Sequence, residues 1–191
     1  MSGDGDSQSI REDPPVIDFV VAIPSYKRSK MLAEMTMKTL LDGGVPPNII
    51  HVFIVPEDRD NYGTTLAEVL SKGVKLIDGD KGLSEQRNFI QQKYFDEGQQ
   101  ILFVDDDITS FDISHSENLK DLNLFEFASF AFSHIRSLEN CHIWSVSPYS
   151  SAYLYGQLKY EVYHGLNLMI GSFYGIINRR DMFNNHKRRC E

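Results

Sequence analysis

Short apolar runs alternate with segments of helical character along the chain. The apolar runs predict strands at residues 17–23, 51–55, 74–77, 101–104, 142–146 and 166–177. Between them, apolar residues at helical spacing and helix-end signals predict helices over residues 29–42, 65–72, 84–97 and 122–138. This alternation is typical of an α/β fold.

Polar residues and glycines mark the ends of these predicted helices. Ser29 and Ser84 are placed as N-caps, and Thr65 with Glu68 three residues later forms a capping-box pattern. Glycines at positions 43, 73 and 98 follow the predicted C-termini, as expected for residues that favour a left-handed backbone.

Composition indicates one domain of ordinary globular character. The chain has 191 residues, of which 41% are hydrophobic and 24% charged, and no apolar stretch is long enough to cross a bilayer. Residues 1–15 lack the features of a secretory signal, so we expect a disordered leader followed by a single domain over residues 16–191. Only Cys141 and Cys190 are present, which favours a reducing compartment such as the cytoplasm.

Charge and motif patterns exclude several classes of function. A formal net charge of -8 repels nucleic-acid phosphates, although a small anion can still bind local Arg or Lys side chains. The chain contains neither the glycine-rich Lys loop of P-loop proteins nor the Gly-x-Gly-x-x-Gly fingerprint of dinucleotide-binding folds. Its six histidines do not have the spacing of a zinc site.

The strand predicted at residues 101–104 runs directly into three adjacent carboxylates, Asp105, Asp106 and Asp107. Neighbouring carboxylates repel one another unless a cation or hydrogen-bond donors compensate them. Ligands collect at the carboxyl ends of strands in α/β sheets, and Mg²⁺ or Mn²⁺ typically takes one or two carboxylates together with substrate phosphates. The run therefore predicts a site for a metal and a diphosphate, with a solvated acidic turn as the alternative.

Two further segments carry groups that suit a nucleotide. The loop at residues 24–28, "PSYKR", offers an aromatic ring for a base, a hydroxyl for a ribose and a guanidinium for a phosphate. Arg87 stands one turn into a helix that follows a glycine-bearing loop, a position that favours anions. Apart from these two segments, Glu57 and Asp58, just beyond the second strand, can accept hydrogen bonds from a base or a ribose, although an acidic surface loop explains them almost as well. Taken alone, each segment also fits an ordinary turn with exposed charged side chains.

Together, "IPSYKR", "GLSEQRN" and "DDD" occur in the order and rough spacing found in GT-A glycosyltransferases. Over residues 18–180 the chain resembles the branch that includes glycosyltransferases of large DNA viruses and the TET-associated glycosyltransferases of phages. The resemblance implies a GT-A fold, with a mixed, mostly parallel central sheet flanked by helices. Residues 171–180 resemble the later strand that frames the acceptor side of the pocket.

The resemblance also assigns roles to individual residues. The residues that it implies for nucleotide-sugar binding are Pro24, Ser25, Tyr26, Arg28, Glu57, Arg87, Asp105 and Asp106. Arg87 would contact the diphosphate or the donor sugar and Asp105 the ribose side. Asp107, together with Asp105, would bind Mn²⁺ or Mg²⁺.

The implied activity is metal-dependent transfer of a sugar from a nucleotide-diphosphate donor, with a UDP-sugar favoured, to a hydroxyl group. The expected acceptor is a glycan or glycoprotein, and the location is the host-cell cytoplasm if the chain is viral. Glycosylation of hydroxymethylated bases in DNA is an alternative that the negative charge disfavours. A non-catalytic module that binds the donor without turnover is the second alternative.

Related enzymes commonly carry a catalytic acid after the last strand, where this chain offers only Asp181, His186 and Glu191. Asp181 is therefore predicted as a catalytic residue beside Asp107 and Arg87, although it directly follows two arginines and is better suited to cap a helix or to pair with those arginines. His186 is predicted as a late metal contact. We expect the chain to be either a fragment of a longer protein or a compact variant that binds the donor but transfers slowly.

Overall fold

The computed structural model describes residues 19–111, 121–146 and 171–182. Six strands form one sheet. Their bounds are β1 Phe19–Pro24, β2 Ile50–Ile54, β3 Lys75–Asp78, β4 Gln100–Val104, β5 Ile143–Ser145 and β6 Phe173–Ile177. All six fall on the predicted apolar runs, and their ends shift by one or two residues within the described part of the chain.

The sheet has the strand order β3-β2-β1-β4-β6-β5. Strands β3, β2, β1 and β4 are parallel neighbours, whereas β6 runs antiparallel to both β4 and β5. The predicted α/β class with a mixed, mostly parallel sheet is therefore confirmed. The carboxyl ends of the four parallel strands meet at one end of the sheet, which we call the carboxyl end, and their starts form the amino end.

Helices follow most of the parallel strands. Their bounds are α1 Ser29–Leu32, α2 Lys38–Asp42, α3 Arg59–Thr65, α4 Ala67–Ser71, α5 Leu83–Phe89 and α6 Leu124–Arg136. A π-helical turn, Ala33–Met37, joins α1 to α2, and a second one, Ile90–Tyr94, extends α5. Short 3₁₀ turns occupy Pro47–Ile49, Pro56–Asp58 and Arg180–Met182.

Helix starts differ from the predictions at three places. Ser29 lies inside α1 rather than at its N-cap, and Ser84 lies inside α5, whose N-cap is Gly82 at φ 108°. Thr65 closes α3, where its hydroxyl donates to the carbonyl of Asn61 at 2.8 Å, so the predicted capping box with Glu68 is wrong. Helix α3 is rich in polar residues and lacks an apolar stripe, so it was not predicted from the sequence and a helix start was placed at Thr65 instead.

Strands β1, β2, β4 and β6 are almost wholly buried because helices pack on both faces of the sheet, whereas β3 and β5 are partly exposed. One core cluster contains Phe19, Val21, Ile23, Val52 and Ile54 with the inner faces of α2 and α6. The smaller cluster on the other face includes Phe53, Ile90, Phe103 and Tyr174. Strands buried on both sides read as continuous apolar runs, which is why their positions were predictable from sequence.

The helical segment that begins with α5 ends at an extended residue, and α6 begins at a capping box. Phe95, directly after the second π-helical turn, is extended, so the helical segment ends three residues before the predicted boundary. Asn123 and Glu126 form a reciprocal capping box at α6, with bonds of 2.9 and 2.8 Å.

In the described ranges, no helix is long and apolar enough to span a bilayer.

Candidate functional site

Loops from two neighbouring parallel strands meet at the carboxyl end of the sheet. Strand β1 ends at Pro24 and strand β4 at Val104, and the two strands pair directly. The loop that starts at Ser25 therefore lies beside the acidic run that starts at Asp105. This is the position at which α/β sheets bind their ligands.

Asp106 is the buried centre of this junction. Its residue is only 6% exposed, and its carboxylate accepts hydrogen bonds from the Ser25 hydroxyl at 2.6 Å and from the Arg28 guanidinium at 3.2 Å. Both oxygens are thus engaged by groups of the β1 loop. Asp106 joins the two loops, and its carboxylate is directed into the protein rather than towards a ligand.

Asp105 forms the second ion pair of the acidic run. Arg87, on α5, donates from Nη2 to the Asp105 carboxylate at 3.2 Å and to the Gly171 carbonyl at 2.9 Å. Burial raises the pKa of Asp105, and the charges of Asp107 and Asp106 raise it further while Arg87 opposes them. The structure thus places Arg87 beside the acidic run, and its contact with a diphosphate or donor sugar stays a prediction.

Asp107 is the most accessible of the three carboxylates. Half of its side-chain surface is exposed, and its pairing with Arg28 is long, at 3.5 Å. An exposed ion pair of that length contributes little stability. Asp107 is therefore the carboxylate that is free to engage a ligand.

Two threonines on the first helical segment hold the acidic run in shape. The Thr36 hydroxyl donates to the Asp105 carbonyl and accepts from the Ile108 amide, both at 2.8 Å. Thr39 donates to the Ile108 carbonyl at 3.1 Å. Thr36 lies in the π-helical turn and is fully buried. Neither residue carries a recognisable signal in the sequence, because their partners lie 69 to 72 residues away along the chain.

The β1 loop presents one exposed aromatic ring. Tyr26 is 43% exposed, and the ammonium groups of Lys27 and Lys81 lie 5.2 and 5.8 Å from its ring centre. Lys27 has a φ of 56°, and its amide donates to the Asp58 carboxylate at 3.1 Å. The neighbouring Glu57 is exposed within its 3₁₀ turn. The loop therefore combines a flat ring and positive charge at the mouth of the site.

Asp105 and Asp107 suit a divalent cation whose coordination shell is completed by a substrate, rather than a site in which every ligand comes from the protein. Among the residues that the structure describes, no group of three or more His, Cys, Asp or Glu side chains is arranged to hold a metal ion. The hydrogen bonds described above engage Oδ1 of Asp105 and Oδ2 of Asp107. One oxygen on each side chain thus remains for a cation. Mg²⁺ is commonly bound in this way, by one or two carboxylates plus phosphates and water.

Asp181 lies far from this junction. Strand β6 begins opposite Val104 and ends opposite Gln100, so the chain after β6 emerges at the amino end of the sheet. There the Asp181 carboxylate accepts from Arg179 at 2.7 and 3.1 Å, and this pairing lowers its pKa. The structure therefore does not bring Asp181 together with Asp107 and Arg87. His186 and Glu191 lie outside the described residues.

Comparisons with known proteins include a partial likeness to a solved structure. No family model matches the chain, and no curated protein matches it. Among solved structures, it is similar to the apo form of GlyE from Streptococcus pneumoniae TIGR4, with a TM-score of 0.40 and 15% sequence identity over 84% of this chain and 34% of that one. That protein is a glycosyltransferase. The chain spans about one third of its length, and a likeness at this TM-score carries no argument about function.

Proposed function

We propose that this chain is a glycosyltransferase that uses a nucleotide-diphosphate sugar, with a UDP-sugar favoured, and Mn²⁺ or Mg²⁺. The observation that carries the proposal is the arrangement at the carboxyl end of the sheet. There a half-exposed carboxylate, Asp107, pairs loosely with Arg28, and the neighbouring Asp105 pairs with Arg87. The β1 loop that carries Arg28 also presents the exposed Tyr26 ring, with two ammonium groups beside it. A ligand with a flat base, phosphates and a bound cation matches each of these features.

The base and the diphosphate would be bound by different parts of the junction. The Tyr26 ring offers a stacking surface, and Lys27 and Lys81 provide positive charge beside it. Arg87 would reach the diphosphate by exchanging part of its bond to Asp105, which charge-assisted bonds to phosphate can offset. Arg28, whose side chain is half exposed, is the second guanidinium available to a phosphate.

The metal would be held by Asp107 and by the second oxygen of Asp105. When bound, a divalent cation supplies charge neutralisation on the departing nucleoside diphosphate. Arg87 adds a fixed positive charge at the same place, while Asp106 keeps the two loops at a constant separation. Asp181 has no role in this proposal, because it lies at the opposite end of the sheet.

The acceptor that we propose is a hydroxyl group of a glycan or glycoprotein. The formal net charge of -8 disfavours approach of a polyanion such as DNA. Exposed carboxylates around the site add to that repulsion at short range, since Asp107 and Glu57 both face solvent.

The decisive experiment is a mass-spectrometric screen of nucleotide-sugars with Mn²⁺ and, separately, with EDTA. We expect one donor to be hydrolysed or transferred only when the metal is present. Binding of that donor without turnover would instead establish a non-catalytic module, and turnover unaffected by EDTA would contradict the metal assignment. Transfer to hydroxymethylated DNA rather than to glycans would contradict the proposed acceptor.

Arg87→Ala tests the diphosphate contact, with Arg180→Ala at the amino end of the sheet as the matched control. Loss of a charge-assisted bond costs about 1.5–3 kcal/mol, so donor affinity should fall by roughly one to two orders of magnitude. Arg180 pairs only loosely with Asp96, at 3.9 Å, and its removal should leave affinity unchanged. Equal effects of the two variants would contradict the role of Arg87.

A further inference from the structure

Tyr62 is a buried residue that connects helix α3 to the candidate site. It is fully buried, and its phenol oxygen lies 2.6 Å from the Ser25 hydroxyl and 3.0 Å from the backbone nitrogen of Arg28. Ser25 in turn donates to the carboxylate of Asp106 at 2.6 Å. Four groups from three separate segments thus form one chain of hydrogen bonds.

Chemistry at the two ends of this chain fixes the direction of every bond in it. The Arg28 amide can only donate, so the phenol oxygen accepts there. The Asp106 carboxylate accepts the only proton of the Ser25 hydroxyl. Between Tyr62 and Ser25, the phenol must therefore be the donor. The sequence of donors is Arg28 amide, Tyr62 hydroxyl, Ser25 hydroxyl, with the Asp106 carboxylate as the final acceptor.

Burial keeps this chain in a single protonation state. Desolvation raises the pKa of Tyr62, and the negative charges of Asp106 and Asp58 raise it further. The phenol consequently keeps its proton throughout the neutral range. Hydrogen bonds that share donors and acceptors in a buried chain also polarise and strengthen one another.

The β1 loop, which this chain of hydrogen bonds supports, contains a strained backbone conformation. Lys27 has a φ of 56°, in the left-handed region that non-glycine residues seldom adopt. Two successive amides of the loop are captured by side chains from one neighbouring segment, Lys27 by Asp58 and Arg28 by Tyr62. Such local strain persists only when the surrounding structure holds it in place.

We propose that Tyr62 is a positioning residue for the nucleotide-sugar donor, acting through Ser25 and the Arg28 amide to hold the Tyr26 ring and the Arg28 guanidinium in their binding arrangement. This inference rests on the proposed function for its effect on donor binding. It also revises the expected role of Ser25, which is buried and has its proton committed to Asp106. Ser25 anchors the loop and does not donate to a ribose.

The structural part of the inference is tested without any ligand. Amide exchange, followed by NMR or mass spectrometry in the full chain, should show faster exchange of the Arg28 amide in Tyr62→Phe than in the wild type. Tyr94→Phe is the matched control, since Tyr94 packs against His51 and Phe95 towards the amino end of the sheet. Unchanged exchange at Arg28 in a folded Tyr62→Phe protein would overturn the proposed chain.

The functional part uses the donor identified by the nucleotide-sugar screen. Tyr62→Phe should raise the donor KM about three- to tenfold, the usual consequence of one lost hydrogen bond, with kcat changed less than twofold. Tyr94→Phe should leave KM unchanged. A Tyr62→Phe protein that loses thermal stability but keeps the wild-type KM would reduce Tyr62 to a purely structural residue and overturn the proposal.

A double variant distinguishes one connected chain of hydrogen bonds from two independent contacts. Because Ser25 and Tyr62 act in series, Ser25→Ala combined with Tyr62→Phe should raise KM no more than the stronger single change. Additive effects would contradict the series arrangement. If the wild type binds no nucleotide-sugar while Arg28 exchange still depends on Tyr62, the proposed function fails and the hydrogen-bond chain stands.

Discussion

The two ends of the sheet hold their charges in different ways. At the carboxyl end, three adjacent carboxylates share two guanidinium groups, those of Arg28 and Arg87, and Asp107 is left half exposed with a long contact. At the amino end, Arg179 pairs with Asp181 and Arg180 with Asp96, one cation to each anion. This excess of negative charge at the carboxyl end is the reason for placing the proposed ligand site there.

At the amino end, the side-chain nitrogen and the backbone of Asn178 are instead bound to other backbone groups. Asn178 is fully buried, and its amide nitrogen lies within 3.2 Å of the carbonyls of Gln91, Phe95 and Asp96, at the end of the α5 segment. Its backbone bonds with Gly98 and Gln99 are both 2.8 Å long. These contacts close the end of the α5 segment, so we expect polar residues at this end to serve stability, whereas those at the carboxyl end are the ones proposed for binding.

The largest effect should separate the two ends by activity. Asp107→Asn should lower metal-dependent donor turnover by about a thousandfold, or about 4 kcal/mol, because it removes the accessible metal ligand. Asp181→Asn, which alters an ion pair at the amino end, should leave turnover within about twofold of the wild type. Initial rates with Mn²⁺ measure both. A loss of activity in Asp181→Asn as large as that in Asp107→Asn would show that activity does not depend on the carboxyl end alone.

A second effect concerns stability below neutral pH. Burial, with repulsion from Lys75, lowers the pKa of His51 to about 4, so between about pH 6.5 and 4 the unfolded chain binds a proton that the folded chain does not. The free energy of unfolding should therefore fall by about 3 kcal/mol as the pH drops through that window. His51→Gln should flatten this slope, with the slope above pH 7 as the internal control. Denaturation curves at several pH values that show the same slope in both proteins would contradict it.

How far the sequence predicts this molecule depends on the distance along the chain between interacting residues. The interior strands β2 and β4 were predicted because each is a nearly continuous apolar run buried on both faces. The position of Asp107 beside a strand end could also be predicted, because it depends only on neighbouring residues in the sequence. Tyr62 and Thr36 gave no signal, since each looks like an ordinary helix residue and its partners lie 34 to 72 residues away. The end of the sheet at which Asp181 lies could not be predicted, because only the antiparallel direction of β6 shows where the chain emerges.

A third effect tests whether the amino end serves stability alone. Asn178→Ala should lower the free energy of unfolding by about 2 kcal/mol, because buried carbonyls at the end of the α5 segment lose their donor. Donor affinity should stay unchanged, since the site lies at the other end of the sheet. Urea denaturation and donor titration of the same variant measure the two properties. A folded Asn178→Ala protein that binds the donor ten times more weakly would show that the two ends are coupled.

The smallest effect tests the unbalanced charge at the carboxyl end directly. Burial raises the pKa of Asp105 above its ordinary value of about 3.9, so the folded state holds this proton more tightly than the unfolded state. The resulting stability is fully present below about pH 3.9 and is lost as the pH rises through the raised pKa. Asn resembles the protonated carboxyl, so Asp105→Asn should raise the Tm by about 1–3 °C at pH 7 and leave it unchanged near pH 3. Asp96→Asn, which alters a fully exposed side chain at the amino end, is the control and should show no such dependence. A lower Tm for Asp105→Asn at pH 7 would mean that the pairing with Arg87 outweighs the cost of burial and of repulsion from Asp106 and Asp107, and that the carboxyl end is charge-balanced after all.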